Sequence, residues 1–262
     1  MTASARVFLL GGITSYRALF NWLRPSYYFP TMLAGPLFQL LFFAYLGRFA
    51  RSESDAFYVV GNAVQISAMA GVFGMALTIG GERWTQTLGP LLATPASRFA
   101  IFLGRAVPNL AQGLIVSTFG FVMGWLLLDF DPPLSSVPSL ALIVLVSTIS
   151  CTAFGLVVGA LGLRLRDSFM VANPAYFAML LLCGVNVDVD ALPDWLATIS
   201  SVLPLTHGIE AAREVADGAS LSSVGGLVLT EAAIAVAYAA AAFFMLRYFE
   251  EESRRNATLD RI

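Results

Sequence analysis

Apolar residues fall along this chain in blocks of about 20, separated by short polar stretches, and that is the length at which a helix crosses a bilayer. Six blocks, at approximately 27–47, 57–80, 100–128, 138–163, 169–187 and 222–247, predict six membrane-spanning helices. Ahead of the first, Leu9, Ile13, Tyr16, Phe20 and Leu23 recur at helical spacing beside a polar stripe of Thr14, Arg17, Asn21 and Arg24. This predicts an interfacial helix over 6–24, broken by Pro25 so that the chain can turn into the membrane. The run Val7 to Ile13 is short, interrupted by Gly11 and Gly12 and followed by Arg17, and reads as a retained segment instead of a cleaved signal. The expected fold class is an all-α membrane protein, a single transmembrane domain over 1–262.

Two segments break the alternation. Between the second and third spans, residues 82–95 start polar at Glu82 and Arg83, turn at Gly89-Pro90, and carry Leu88, Leu91 and Leu92 as an apolar patch. A short amphipathic piece of this kind can dock into a groove on a soluble partner or lie on the headgroups. Between the fifth and sixth spans, Val185 to Gly218 is too long for a tight loop and too polar for a span. Pro193-Asp194-Trp195 can open one short helix that ends before Pro204, and a second runs from about Leu205 to Gly218. Within the second, Glu210 and Arg213 stand at i and i+3 and can pair. Over 188–218 we expect a pair of short outer helices that dip into the leaflet and return, as irregular backbone there must be buried by protein or line a cavity.

Inside the spans the pattern is mostly one of packing. Ser147, Cys151, Gly155 and Gly159 form a ladder of small side chains in the fourth span, and Ala70, Gly74 and Thr78 a similar row in the second. Glu231 is the acid well inside a span, where ionisable groups are costly and mark function. It is expected to face a water-filled cavity or a subunit interface, or to pair with Asn109 or Gln112.

Composition narrows the chemistry. The chain is 58% hydrophobic and 12% charged, with mean hydropathy +0.76, where soluble domains are roughly a quarter charged. All 15 basic residues are Arg, so the Lys-dependent phosphate loop is excluded and any ATP with its Mg must be bound by another chain. No catalytic, cofactor or metal site is expected: the single histidine, His207, excludes multi-His zinc sites, and Cys151 and Cys183 read as small buried hydrophobes. The net charge of −2, with no basic stripe, gives no basis for nucleic-acid binding. With the N-terminus inside, twelve Arg residues lie on or near the cytoplasmic face and three, Arg48, Arg51 and Arg213, outside. This asymmetry places both termini in the cytoplasm.

Both irregular segments resemble the membrane subunits of type-2 ATP-binding-cassette exporters. The family's first cytoplasmic loop reads roughly E-R-E-x-G-T-L-E-x-L-L-x-x-P, matched by Glu82, Arg83, Thr87, Leu88, Leu91, Leu92 and Pro95, with departures at Trp84, Gln86 and Gly89. Its Pro-Leu-Thr pattern followed by Glu and Arg is matched by Pro204, Leu205, Thr206, Glu210 and Arg213. The resemblance implies a dimer with itself or a homologous permease, bound in the cell membrane to two ATPase subunits through the interfacial helix, including Arg17 and Arg24, and the 82–95 loop. It further implies outward movement of an amphipathic molecule such as a drug, antibiotic or natural product, or alternatively of a lipid-linked glycan or lipid. A proton-coupled secondary transporter and a non-transporting scaffold are the rivals from other classes.

Overall fold

The computed structural model describes residues 29–84, 98–164 and 168–256, and every regular element among them is helical. A π turn over Phe29–Leu33 leads into α1, Ala34–Ala50. α2, Asp55–Ala68, continues through a second π turn, Met69–Phe73, into α3, Gly74–Trp84. α4 is Arg98–Leu127, α5 Val137–Arg164 and α6 Phe169–Leu182. Two short helices follow, α7, Asp194–Ser200, and α8, Thr206–Ala216, before the long α9, Gly225–Asn256. The expected interfacial helix over 6–24, with Arg17 and Arg24, and the loop residues Thr87, Leu88, Leu91, Leu92 and Pro95 lie outside the described residues.

Successive long helices run up and down, so the α1–α2 turn, the α4–α5 turn and the whole of 183–224 gather at one end, called here the capped end. Local chemistry sets the turns there. Ser54 caps α2 by accepting from the Phe57 N–H at 3.2 Å. Asp55 in its first turn accepts from Arg48 Nε at 2.9 Å, joining the end of α1 to the start of α2.

Among the described residues, four helical stretches, Asp55–Ile79, Phe102–Leu127, Leu134–Gly162 and Gly225–Phe249, have the length and apolarity of a crossing. α6 is apolar but shorter, at 14 residues, and α1 has 17. The α2–α3 rod is interior, with 83% of its apolar window buried, whereas α9 buries only 17%. A helix that hides so little of an apolar surface has lipid or another protein as its natural neighbour. On α9 that surface includes Leu229, Val236 and Phe244, and on α1 Phe38, Phe42 and Phe49.

α5 is the hub of the bundle, packed on α2, α3, α4, α6, α8 and α9. Its small-residue ladder is used within the chain. A Cβ on Gly155 would collide with the Gly71 carbonyl oxygen in the π turn, and one on Gly71 with the α5 backbone at Cys151 and Thr152, so two backbones touch there. The row in the second span meets a different neighbour: Thr78 and Gly74 lie against Asn109 of α4. Gly155→Ala is therefore expected to cost about 1–3 kcal/mol, read as a lowered melting temperature of the solubilised protein. Gly226→Ala, with nothing within 4 Å of the new Cβ, should leave it unchanged.

Candidate functional site

The sequence places Leu205, which has no side-chain acceptor, at the N-cap of α8, with φ +83 and no cap hydrogen bond of its own. The first N–H groups of a helix lack intrahelical partners, and burying them unpaired is costly. α8 is buried: Leu205, Ile209, Ala211, Ala212 and Val215 are all inaccessible, wedged among α2, α5 and α9. Its N-terminal end lies deep. Gly208 sits so close to Ser147 that a Cβ would strike the serine hydroxyl, and Ser147 is ten residues, about 15 Å, along α5 from Val137.

Glu231 supplies the missing cap from another helix. Its side chain, fully buried six residues into α9, accepts from the Leu205 N–H at 2.9 Å and from the Gly208 N–H at 3.3 Å. The carboxylate also faces the positive end of the α8 dipole. The rest of the motif has similar duties. Thr206 donates its hydroxyl to the Ser200 carbonyl at 2.7 Å, Ser200 donates to the Leu182 carbonyl at 2.8 Å, and the Pro204 carbonyl accepts from Cys183 Sγ at 3.2 Å. Pro204 to Thr206 thereby join the ends of α6, α7 and α8.

This corrects two expected pairings. Glu231 meets neither Asn109 nor Gln112: Asn109 donates to Met75 Sδ at 3.1 Å and Thr78 Oγ1 at 3.4 Å, and Gln112 to Met32 Sδ at 3.2 Å. The three residues do not converge, because backbone donors at the end of α8 occupy the carboxylate first. Nor does Arg213 form an ion pair with Glu210 among the described residues. Its guanidinium turns inward, donating to the Phe57 carbonyl at 3.2 Å and the Val185 carbonyl at 3.1 Å, and lies 3.4 Å from the Phe57 ring centroid. Burial pulls its pKa down to about 10, with Asp188 and Glu53 opposing the shift. Glu210 remains at the rim of the segment, where partial burial raises its pKa against the opposing charge of His207. Arg213 thus clips the C-terminal half of α8 to α2, as Glu231 holds the other end to α9.

A third cluster escaped the sequence reading. Gln39 of α1 donates to Asn62 Oδ1 at 3.1 Å, and Asn62 donates to the Tyr58 carbonyl and to Asn186 Oδ1, both at 2.9 Å. Tyr176 of α6 donates to Gln39 Oε1 at 3.2 Å. These neutral groups tie α1, α2, α6 and the 183–188 segment together, and the signal for them was amide side chains inside otherwise apolar runs. Of the loop residues, Glu82 and Arg83 fall in the last turn of α3.

Residues 12–216 match the ABC-2 type transporter family. The chain is also 26% identical over 196 residues to the probable multidrug ABC transporter permease YbhR of Escherichia coli strain K12, a stretch that covers 72% of this chain and 52% of the relative. The same holds for the YbhR of Escherichia coli O157:H7. The chain spans about half the length of the curated relatives it matches. With apolar helices of crossing length and a family match over most of its residues, this multi-pass membrane protein belongs to the ABC-2 type transporter family.

Proposed function

We propose that this chain is the membrane-spanning subunit of an ATP-driven exporter that moves an amphipathic molecule out of the cell, with ATP and Mg bound by a separate ATP-binding-cassette subunit. The observation that carries the reading is α8, driven N-terminus first into one end of the bundle and held there by Glu231 and Arg213, in a chain of the ABC-2 family. In this reading the capped end faces outward, both termini are cytoplasmic, and α1 with its preceding π turn and α6 add two crossings to make six. α7 and α8 form the re-entrant pair, and a second copy or a homologous permease covers part of the apolar faces of α1 and α9. Two ATPase subunits engage the 6–24 helix and the 82–95 loop. The multidrug description of the relative supports a drug-like or natural-product cargo over a lipid-linked glycan. The proton-coupled rival weakens, since the carboxylate of Glu231, which a proton relay would use, is committed to two backbone N–H groups.

Orientation and partner are tested together. In a background without Cys151 and Cys183, Asp131→Cys and Ala191→Cys should label from outside intact cells, while Gln86→Cys should not. The purified chain should retain an ATP-binding-cassette ATPase whose hydrolysis rises with cargo. Outside labelling at position 86, or no ATPase association, would overturn the reading.

A further inference from the structure

A drug-sized cavity in the described part of the bundle lies away from α8. Between α4 and α5, at the capped end, a cleft of about 590 Å³ is lined by Phe121, Trp125, Phe130 and Leu140, with Ser117 deeper and Asp131 at the mouth. Small-molecule sites occupy roughly 300–1,000 Å³ and combine apolar walls with a few polar groups, so size and lining both fit.

The polar groups decide what the cleft can hold. Asp131 is exposed and takes part in no ion pair among the described residues. Phe121 and Phe130 lie with ring centroids 6.1 Å apart, and Trp125 is 58% exposed beside them. A carboxylate and aromatic faces, whose quadrupoles are negative, both attract a cation and both repel an anion. Further in, Ser117 is fully buried and its hydroxyl has no hydrogen-bond partner among the described residues, whereas neighbouring Thr118 donates to the Leu114 carbonyl at 2.7 Å. Ser117 and Trp125 are eight residues apart on α4, about 12 Å along the axis. An acyl chain would leave that hydroxyl unpaired. A compact molecule with a polar atom at the end away from its charged group would satisfy it.

We infer that the α4–α5 cleft binds an amphipathic cation from the outer leaflet, with its charge at Asp131, its rings on Phe121, Trp125 and Phe130, and a polar atom at Ser117. The inference deepens the export reading by naming a ligand class, and rests on it for the side from which the ligand enters.

The test uses the full chain in phosphatidylcholine nanodiscs without ATPase. Rhodamine 6G, a ring-rich cation with polar substituents, is followed by fluorescence anisotropy, with fluorescein as an anion of similar ring size. Rhodamine 6G should bind saturably and fluorescein should not. Asp131→Asn, at an exposed turn position, should weaken binding about tenfold, and Ser117→Val several-fold. Equal affinity in Asp131→Asn, a phospholipid retained in the cleft that the dye does not displace, or disulfide cross-linking of Trp125→Cys between two copies would each overturn the inference. Dye binding that persists where no ATPase associates would remove the export reading and leave the cleft. Cation export undiminished in Asp131→Asn would do the reverse.

Discussion

Glu231→Leu should abolish export while the chain still inserts in the membrane. The substitution removes the acceptor for two backbone donors at the buried end of α8, the N–H groups of Leu205 and Gly208. Each buried donor left unpaired costs about 1–3 kcal/mol, and loss of the charge at the dipole end adds up to about 2 kcal/mol. An 11-residue helix whose first turn is unseated by several kcal/mol no longer holds its place among α2, α5 and α9. Glu231→Gln keeps one carbonyl oxygen and so should retain part of the activity. The position of α8 can be read directly, because Ala212 is inaccessible in the native chain. In a background without Cys151 and Cys183, Ala212→Cys should react slowly with a water-soluble thiol reagent, and much faster once Glu231→Leu is added. Wild-type export in the leucine variant, with Ala212→Cys still protected, would sink the capping role.

The second large effect is expected at the other end of the molecule. Leu91→Ala with Leu92→Ala should leave the protein inserted and folded, yet weaken its hold on the ATPase and stop transport. The apolar patch of Leu88, Leu91 and Leu92 follows directly on α3, whose last turn carries Glu82 and Arg83. Docked on a soluble partner, two leucine side chains remove enough apolar surface, at about 25 cal/mol per Å2, to supply several kcal/mol of association at most. Every 1.4 kcal/mol is a tenfold change in affinity, so the Kd of the double variant should rise well above the concentrations at which the wild-type pair co-purifies. Normal ATPase binding and wild-type transport would reduce the segment to a surface connector.

Much of the fold could be read from periodicity, since apolar runs of crossing length have few solutions in lipid. The short outer helices were marked by Pro193, Pro204 and Gly218, and the structure has α7 and α8 within those bounds. Glu231 stood out because an acid in an apolar run demands a partner. Its partner could not be read, because sequence patterns report side chains, and what Glu231 finds is the backbone of a residue 26 positions away. Arg213 misled for a related reason. The i, i+3 rule describes an isolated helix surface, and here that helix is buried, so two carbonyl groups and a ring outcompete an exposed carboxylate. The amides of the Gln39, Asn62, Asn186 and Tyr176 cluster stand out inside apolar runs, but their pairing was illegible because it joins four separated stretches of chain, each contributing one residue.

The π turn at Met69–Phe73 has a mechanical side. A π turn is an α-helix that holds one residue too many, and it can travel or be absorbed without breaking the rod. Passing that residue from one side to the other turns everything beyond it by about 100° and shifts it about 1.5 Å along the axis. The rod that α2 and α3 share is therefore two stretches whose faces are offset from those of an unbroken α-helix. The α2 piece is gripped by Arg213, and the α3 piece leads into the 82–95 loop. If the 82–95 loop couples to an ATPase as proposed, a push there would reach α3 before it reached the grip of Arg213 on α2.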